Sequence, residues 1–127
     1  MMQNYSVLMS VYYKEKPEYL EQAIESVQSQ TFPTDDFILV CDGPLNDALD
    51  KVIAKKQQEM GITLNVVRLA KNGGLGKALN EGIKHCKNEL VARMDSDDIA
   101  YPNRCEKQMA VFLSLIHISE PTRPLYI

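Results

Sequence analysis

Leu90-Val91-Ala92-Arg93-Met94 runs directly into Asp95-Ser96-Asp97-Asp98. The first five residues read as a buried strand, and the next four place three carboxylates at its carboxyl end. Two unit charges ~4 Å apart repel by roughly 4 kcal/mol at an effective dielectric of about 20. A bound cation removes that cost. Mg²⁺ is held by one or two carboxylates together with substrate phosphates, and Mn²⁺ accepts similar ligands. The stretch therefore points to a metal–diphosphate site. A second reading makes Asp97 or Asp98 the cap of a helix that begins near Pro102. The stretch alone does not choose between the two.

Working back from this strand, the chain alternates strand-like and helix-like segments. Val7–Val11 reads as a first strand. Pro17 opens a helix whose first turn carries Glu18, with Leu20, Ala23, Ile24 and Val27 on one face. Phe37–Cys41 is apolar throughout, as a strand covered on both sides requires. Leu45, Leu49, Val52 and Ile53 mark a second helical face, which Gly61 can end. Leu64–Leu69 is a third strand. Leu75, Leu79, Ile83 and Cys86 line a third helix, and Cys105, Met109, Phe112 and Leu113 fit a fourth. This rhythm predicts an α/β fold, a mainly parallel sheet with helices on its faces.

Such sheets bind ligands beyond the carboxyl ends of their strands. The residues that follow the strands are Tyr12-Tyr13-Lys14, Asp42-Gly43-Pro44, Ala70–Gly74 and Asp95–Asp98. Polar and glycine chemistry thus gathers at one edge. Asp42 can accept hydrogen bonds from a base or ribose, although Asp-Gly-Pro is also an ordinary turn. The stretch Asn72–Asn80 supplies glycines that let backbone N–H groups approach an anion at a helix start. It fits neither common phosphate loop, because Ala78 follows Gly76-Lys77 and Leu79 stands where a dinucleotide loop needs glycine. Lys77 then has the ordinary alternative of a solvated surface charge. Arg93 is the one charged residue within the strand, and a buried arginine requires a partner: Asp42, the acidic stretch or a diphosphate.

The bulk properties narrow the field. The chain has 127 residues, 45% of them hydrophobic and 24% charged, enough for one modest domain with a real core. A net charge of −3 and scattered basic residues give no footprint for nucleic acid. Cys41, Cys86 and Cys105 share no metal-type spacing and read as reduced thiols of a cytoplasmic protein. The start carries no secretion-signal pattern, and no apolar stretch reaches the ~20 residues of a membrane helix. Residues 114–127, beginning Ser114-Leu115-Ile116-His117, resemble translated adapter or linker read-through; the alternative is a native loop with two prolines.

Taken together, the motifs resemble the family 2 glycosyltransferases of the GT-A fold. The resemblance runs from Ser6 to Leu113. Val7–Tyr12 is similar to the opening strand and Ser26–Thr31 to the family's helix end. Val40–Gly43 resembles the nucleotide-binding aspartate turn, Asn72–Asn80 the Asn-x-Gly-Leu-x-x-Ala-x-Asn stretch, and Asp95–Asp98 the Asp-x-Asp element. Transferases that build bacterial exopolysaccharide and O-antigen are the most similar.

The resemblance implies a three-layer α/β/α, Rossmann-like fold, truncated here, with residues 1–113 forming the nucleotide-sugar-binding part. Tyr12 and Asp42 would meet the base and ribose of a nucleotide sugar, UDP-linked by this reading. Asp95 would reach the ribose or sugar, Asp97 would ligate Mn²⁺ or Mg²⁺, which bridges the diphosphate, and Asp98 would position the sugar or assist the metal. Asn72, Gly74 and Arg93 complete the implied substrate-binding set. Such enzymes invert the anomeric carbon with a carboxylate base. In the family that base lies beyond the Asp-x-Asp element, and nothing after Leu113 resembles it. The 127 residues are therefore expected to bind donor but transfer little sugar. The implied acceptor is a saccharide or a lipid-linked glycan, which would place the enzyme at the inner face of the cytoplasmic membrane. The rival readings are a sugar-phosphate nucleotidyltransferase and a non-catalytic nucleotide-binding module. In the nucleotidyltransferases the glycine loop follows the first strand; here it follows the third.

Overall fold

The computed structural model describes residues 5–30, 34–96 and 125–126. The order of elements is β1 (Tyr5–Val11), α1 (Pro17–Gln28), β2 (Asp36–Cys41), α2 (Asp47–Met60), a 3₁₀ turn (Gly61–Thr63), β3 (Leu64–Arg68), α3 (Leu75–Ile83), β4 (Leu90–Asp95) and β5 (Leu125–Tyr126). The strands form one sheet in the order β3-β2-β1-β4-β5. All of its pairings are parallel. The expected parallel α/β architecture is present, and β5, within the segment that resembles read-through, pairs Leu125 with Leu90 and Tyr126 with Val91. The helix expected around Cys105–Leu113 lies outside the described residues.

Both faces of the sheet are covered. Tyr5, Val7, Met9 and Val11 of β1 and Phe37, Leu39 and Cys41 of β2 face α1 and α2. Leu8, Ile38, Val40 and Val91 face Ala78 of α3 on the other side. The period-two alternation of β1 and β2 thus supplies two cores, one on each side of the sheet. The start of β4 is pinned from below. Ser6 Oγ donates to Asp36 Oδ2 at 2.7 Å, and the Lys87 N–H donates to the same oxygen at 2.8 Å.

α1 buries Leu20, Ala23, Ile24 and Val27, the face read from sequence. α2 is capped by Asn46, whose side chain accepts the Leu49 N–H at 2.9 Å, and it ends at Gly61 with φ 59°. Its inner face differs by one residue from the expected set. Leu45 packs from the preceding loop, and Lys56 takes the fourth buried position. The Lys56 ammonium is satisfied there by Glu25 at 3.2 Å, Glu59 at 3.1 Å and Gln28 at 3.2 Å. Its stem can therefore be buried without orphaning the charge.

α3 presents most of its expected face: Leu79, Ile83 and Cys86 pack, partly buried, against the core on that side. Its fully buried residues are Ala78 and Gly82, Leu75 is 46% exposed, and Cys86 lies beyond the helix end. Gly82 explains the shift. A Cβ there would stand 2.4 Å from Leu8 Cδ1 and 2.6 Å from Val40 Cγ2, so the missing side chain lets α3 seat directly on β1 and β2. The outward steps from β1 to β2 to β3 and the return to β4 on the other side of β1 create a topological switch point. Its crevice opens at the carboxyl ends of β1 and β4.

Candidate functional site at the strand ends

A cleft of ≈ 800 Å³ opens at that switch point. Tyr12 and Tyr13 enter it from the end of β1, Asp42 from the end of β2, Asn72 and Gly74 from the turn before α3, and Ser96 from the end of β4. Four loops that are distant in sequence converge because parallel strands deliver all their carboxyl ends to one edge.

Asp42 is the best-held side chain of the site. It is 5% exposed. Its N–H donates to the Val11 carbonyl at 2.8 Å, so the turn is fixed against β1. Its Oδ1 accepts the Gly73 N–H at 2.8 Å and its Oδ2 accepts the Gly74 N–H at 3.1 Å. These are amides that the sequence reading offered to a ligand anion; here Asp42 is their anion. A carboxylate has about four lone-pair sites, so acceptor capacity remains on the same oxygens. Gly43 completes the grip. Its φ is +89°, and a Cβ would lie 2.6 Å from Asn72 N, so only glycine lets the 71–72 backbone come this close.

The aromatic side of the cleft is Tyr12 and Tyr13, 44% and 50% exposed. Their rings meet edge to face with centroids 5.9 Å apart. The Tyr13 carbonyl accepts Asn46 Nδ2 at 3.2 Å, tying the β1–α1 loop to the start of α2. Exposed aromatic faces beside a fixed carboxylate suit a planar base with a polar edge.

The acidic stretch is described in part. Asp95 closes β4 and pairs with Ser10 of β1. Ser96 is 5% exposed, and its hydroxyl donates to Glu15. Asp97 and Asp98 lie outside the described residues. Among the described residues no group of three His, Cys, Asp or Glu side chains is placed to hold a metal ion. The side chains that the sequence carries at this strand end, carboxylates and a hydroxyl, are all hard oxygen ligands of the type Mg²⁺ and Mn²⁺ take.

Arg93 differs from expectation. It is exposed. Its register partner on β1 is Leu8, on the face where α3 packs over β1 and β2, and it does not line the cleft. Glu15 is the residue that sequence reasoning missed. It sits in a loop with no periodic pattern, directly before Lys16-Pro17, and nothing in one sequence separates it from a solvated loop acid. Cys41 stands behind Asp42 and is fully buried. Burial pushes its thiol up to about 11; the Arg68 charge pulls the other way and Asp50 adds to the rise. It is a packing residue and not a nucleophile at neutral pH.

Comparison with known proteins matches this arrangement. Residues 6–115 fit the model of Glycosyl transferase family 2. The chain is 50% identical over 106 residues to the amylovoran biosynthesis glycosyltransferase AmsE of Erwinia amylovora, covering 84% of this chain and 39% of that protein. It is 40% identical over 102 residues to the Escherichia coli UDP-Gal:alpha-D-GlcNAc-diphosphoundecaprenol beta-1,3-galactosyltransferase, covering 80% of this chain and 36% of that protein. Among solved structures, S. aureus TarS 1–349 in complex with UDP superposes with a TM-score of 0.72 at 30% identity, covering 91% of this chain and 33% of that one. The chain thus spans well under half the length of these relatives. Its parallel sheet, its strand-end cleft and these matches agree, and the chain belongs to glycosyl transferase family 2 with the GT-A fold.

Proposed function

We propose that this chain binds the donor of an inverting sugar transferase, a nucleotide diphosphate sugar with UDP as the nucleotide. The observation that carries the proposal is the convergence of Tyr12, Tyr13, Asp42 and Ser96 on one cleft at the switch point. In this reading the base stacks against the tyrosines and meets the free acceptor sites of Asp42. The diphosphate extends toward the end of β4. Asp97 holds Mn²⁺ or Mg²⁺, whose charge stabilises the departing nucleoside diphosphate, while Asp95 and Asp98 address the ribose and the sugar. Asn72 and Gly74 shape the wall under the base.

UDP is favoured because it is the nucleotide named both for the E. coli relative and for the TarS complex. The diphosphoundecaprenol in the E. coli relative's name supports a lipid-linked acceptor and work at the cytoplasmic membrane face. No helix among the described residues is long and apolar enough to cross a membrane. We assign the base that activates the acceptor hydroxyl to none of the described residues of the cleft, and the 127 residues alone are proposed to transfer little sugar.

Calorimetric titration of UDP into the folded chain, with and without Mn²⁺, tests the proposal. Binding that requires the cation is expected. A folded chain that takes up no UDP at millimolar nucleotide with Mn²⁺ present contradicts it.

A further inference from the structure

Glu15 is a carboxylate without a lysine or arginine partner among the described ion pairs. The lysines beside it are turned elsewhere: Lys14 Nζ lies 5.8 Å from the Tyr13 ring centroid and Lys16 Nζ 5.2 Å from that of Tyr19. Its own backbone closes a turn, the Glu15 N–H donating to the Tyr12 carbonyl at 3.0 Å. Its Oε1 accepts the Lys16 N–H at 3.0 Å, which fixes the direction of the carboxylate. Its Oε2 accepts the hydroxyl of Ser96, the buried middle residue of Asp95-Ser96-Asp97. The two loops leave from neighbouring positions, since Ser10 and Asp95 are register partners across β1 and β4.

We infer that Glu15 is a positioning residue for the acidic turn. Through Ser96 it holds the backbone at the end of β4, next in sequence to Asp95 and Asp97, so the loop after β1 bears on the cation end of the cleft. A serine hydroxyl has one proton to donate, and Ser96 spends it on Glu15. Because Ser96 stands between the two acids in the chain, losing this bond frees both at once. The nucleotide loses most where a cation must be gripped and least where the base is held. The inference rests on the donor-site reading for its consequence, but the latch itself is a property of the ligand-free protein.

The test therefore has two arms. In ligand-free protein, hydrogen exchange at residues 95–98 is compared for wild type, E15A, S96A, the double variant and E15Q. E15A and S96A are each expected to speed exchange by about tenfold, and the double variant to be no faster than either. E15Q keeps an acceptor oxygen and is expected to stay within about threefold of wild type. Unchanged exchange in E15A, or additive effects, overturns the latch.

In the second arm, UDP binding is followed against Mn²⁺ concentration. E15A is expected to need about ten times more Mn²⁺ for half-maximal UDP binding, with metal-free UDP affinity unchanged. An equal loss with and without Mn²⁺ overturns the inference, because Glu15 then contacts the nucleotide itself. Wild-type protein that binds no UDP contradicts the donor-site reading, and the exchange arm still decides on Glu15.

Discussion

Asp42 and Gly73 are joined across the floor of the cleft: the aspartate carboxylate accepts the glycine N–H at 2.8 Å although the two residues are 31 positions apart. With the neighbouring bond from Gly74, this makes Asp42 the anchor of the turn that opens α3. Asp42→Asn keeps one oxygen acceptor but aims an amide N–H₂ at one of two backbone donors. The expected cost is about 1–3 kcal/mol of stability, read from urea unfolding. UDP affinity should fall roughly tenfold. Faster hydrogen exchange at Gly73 and Gly74 locates the cause.

Gly43 and Gly61 separate strain from site geometry. Both have positive φ, +89° and +59°. A Cβ on Gly61 meets nothing within 4 Å, whereas one on Gly43 collides with the Asn72 backbone. Gly61→Ala is expected to cost about 1–2 kcal/mol of stability through backbone strain, with nucleotide affinity unchanged. Gly43→Ala should cost about 3 kcal/mol or more and lower UDP affinity as well, because the 71–74 turn must move. Thermal unfolding and UDP titration of the two variants side by side check the contrast.

Much of this was legible in the sequence. The spacing of Leu20, Ala23, Ile24 and Val27 specifies the inner face of α1, and the unbroken apolar run Phe37–Cys41 specifies a strand covered on both sides. The strand-end rule then locates Tyr12, Asp42 and, through Ser96, the start of the acidic stretch at one edge. The failures have physical causes. A hydrophobic pattern scores Leu75 and ignores Gly82, yet close approach of α3 to Leu8 and Val40 depends on the residue with no side chain. The apolar strand suggests that Arg93 is buried, but it is exposed, and the described helix on that face, α3, packs mainly over β1 and β2. The bonds of Asp42 and Glu15 join loops far apart in the chain, and no local spacing encodes them.

Lys56 is expected to show how a buried cation reports pH. Its side chain is 2% exposed, with Glu25 and Glu59 at 3.2 and 3.1 Å. Burial pulls its pKa down, and hydrogen bonds and charge from Glu59 and Glu25 outweigh that, so the net shift is upward. A raised folded-state pKa gives stability that is complete below the unfolded lysine value, about 10.4, and is lost as pH rises through the higher folded value. Lys56→Met keeps the packed stem and should lie within about 1 kcal/mol of wild type at pH 7. Above about pH 10.4 wild type should lose stability relative to this variant. Melting curves at pH 7, 9 and 11 read the difference.

The thiols give a separate check on the core. Cys41 is fully buried and Cys86 half-buried, and burial raises each thiol to about 11. At pH 8 about one thiol in a thousand is ionised at such a pKa, against roughly one in four for a free cysteine. Alkylation of native protein followed by peptide mapping should therefore leave Cys41 unmodified until denaturant is added and label Cys86 only slowly. Rapid labelling of Cys41 in folded protein would mean that the sheet is not packed against α1 and α2 as described.

The central claim is that the crevice between the ends of β1 and β4, floored by Asp42, is where a nucleoside diphosphate sits. Backbone amide spectra of ¹⁵N-labelled protein titrated with UDP and Mg²⁺ test it most directly. Saturable shifts are predicted at Tyr12, Tyr13, Gly73, Gly74, Leu75 and Ser96, with residues 55–62 on the far side of α2 unmoved. Shifts confined to α2 and the 3₁₀ turn, or none at saturating nucleotide, would contradict the account.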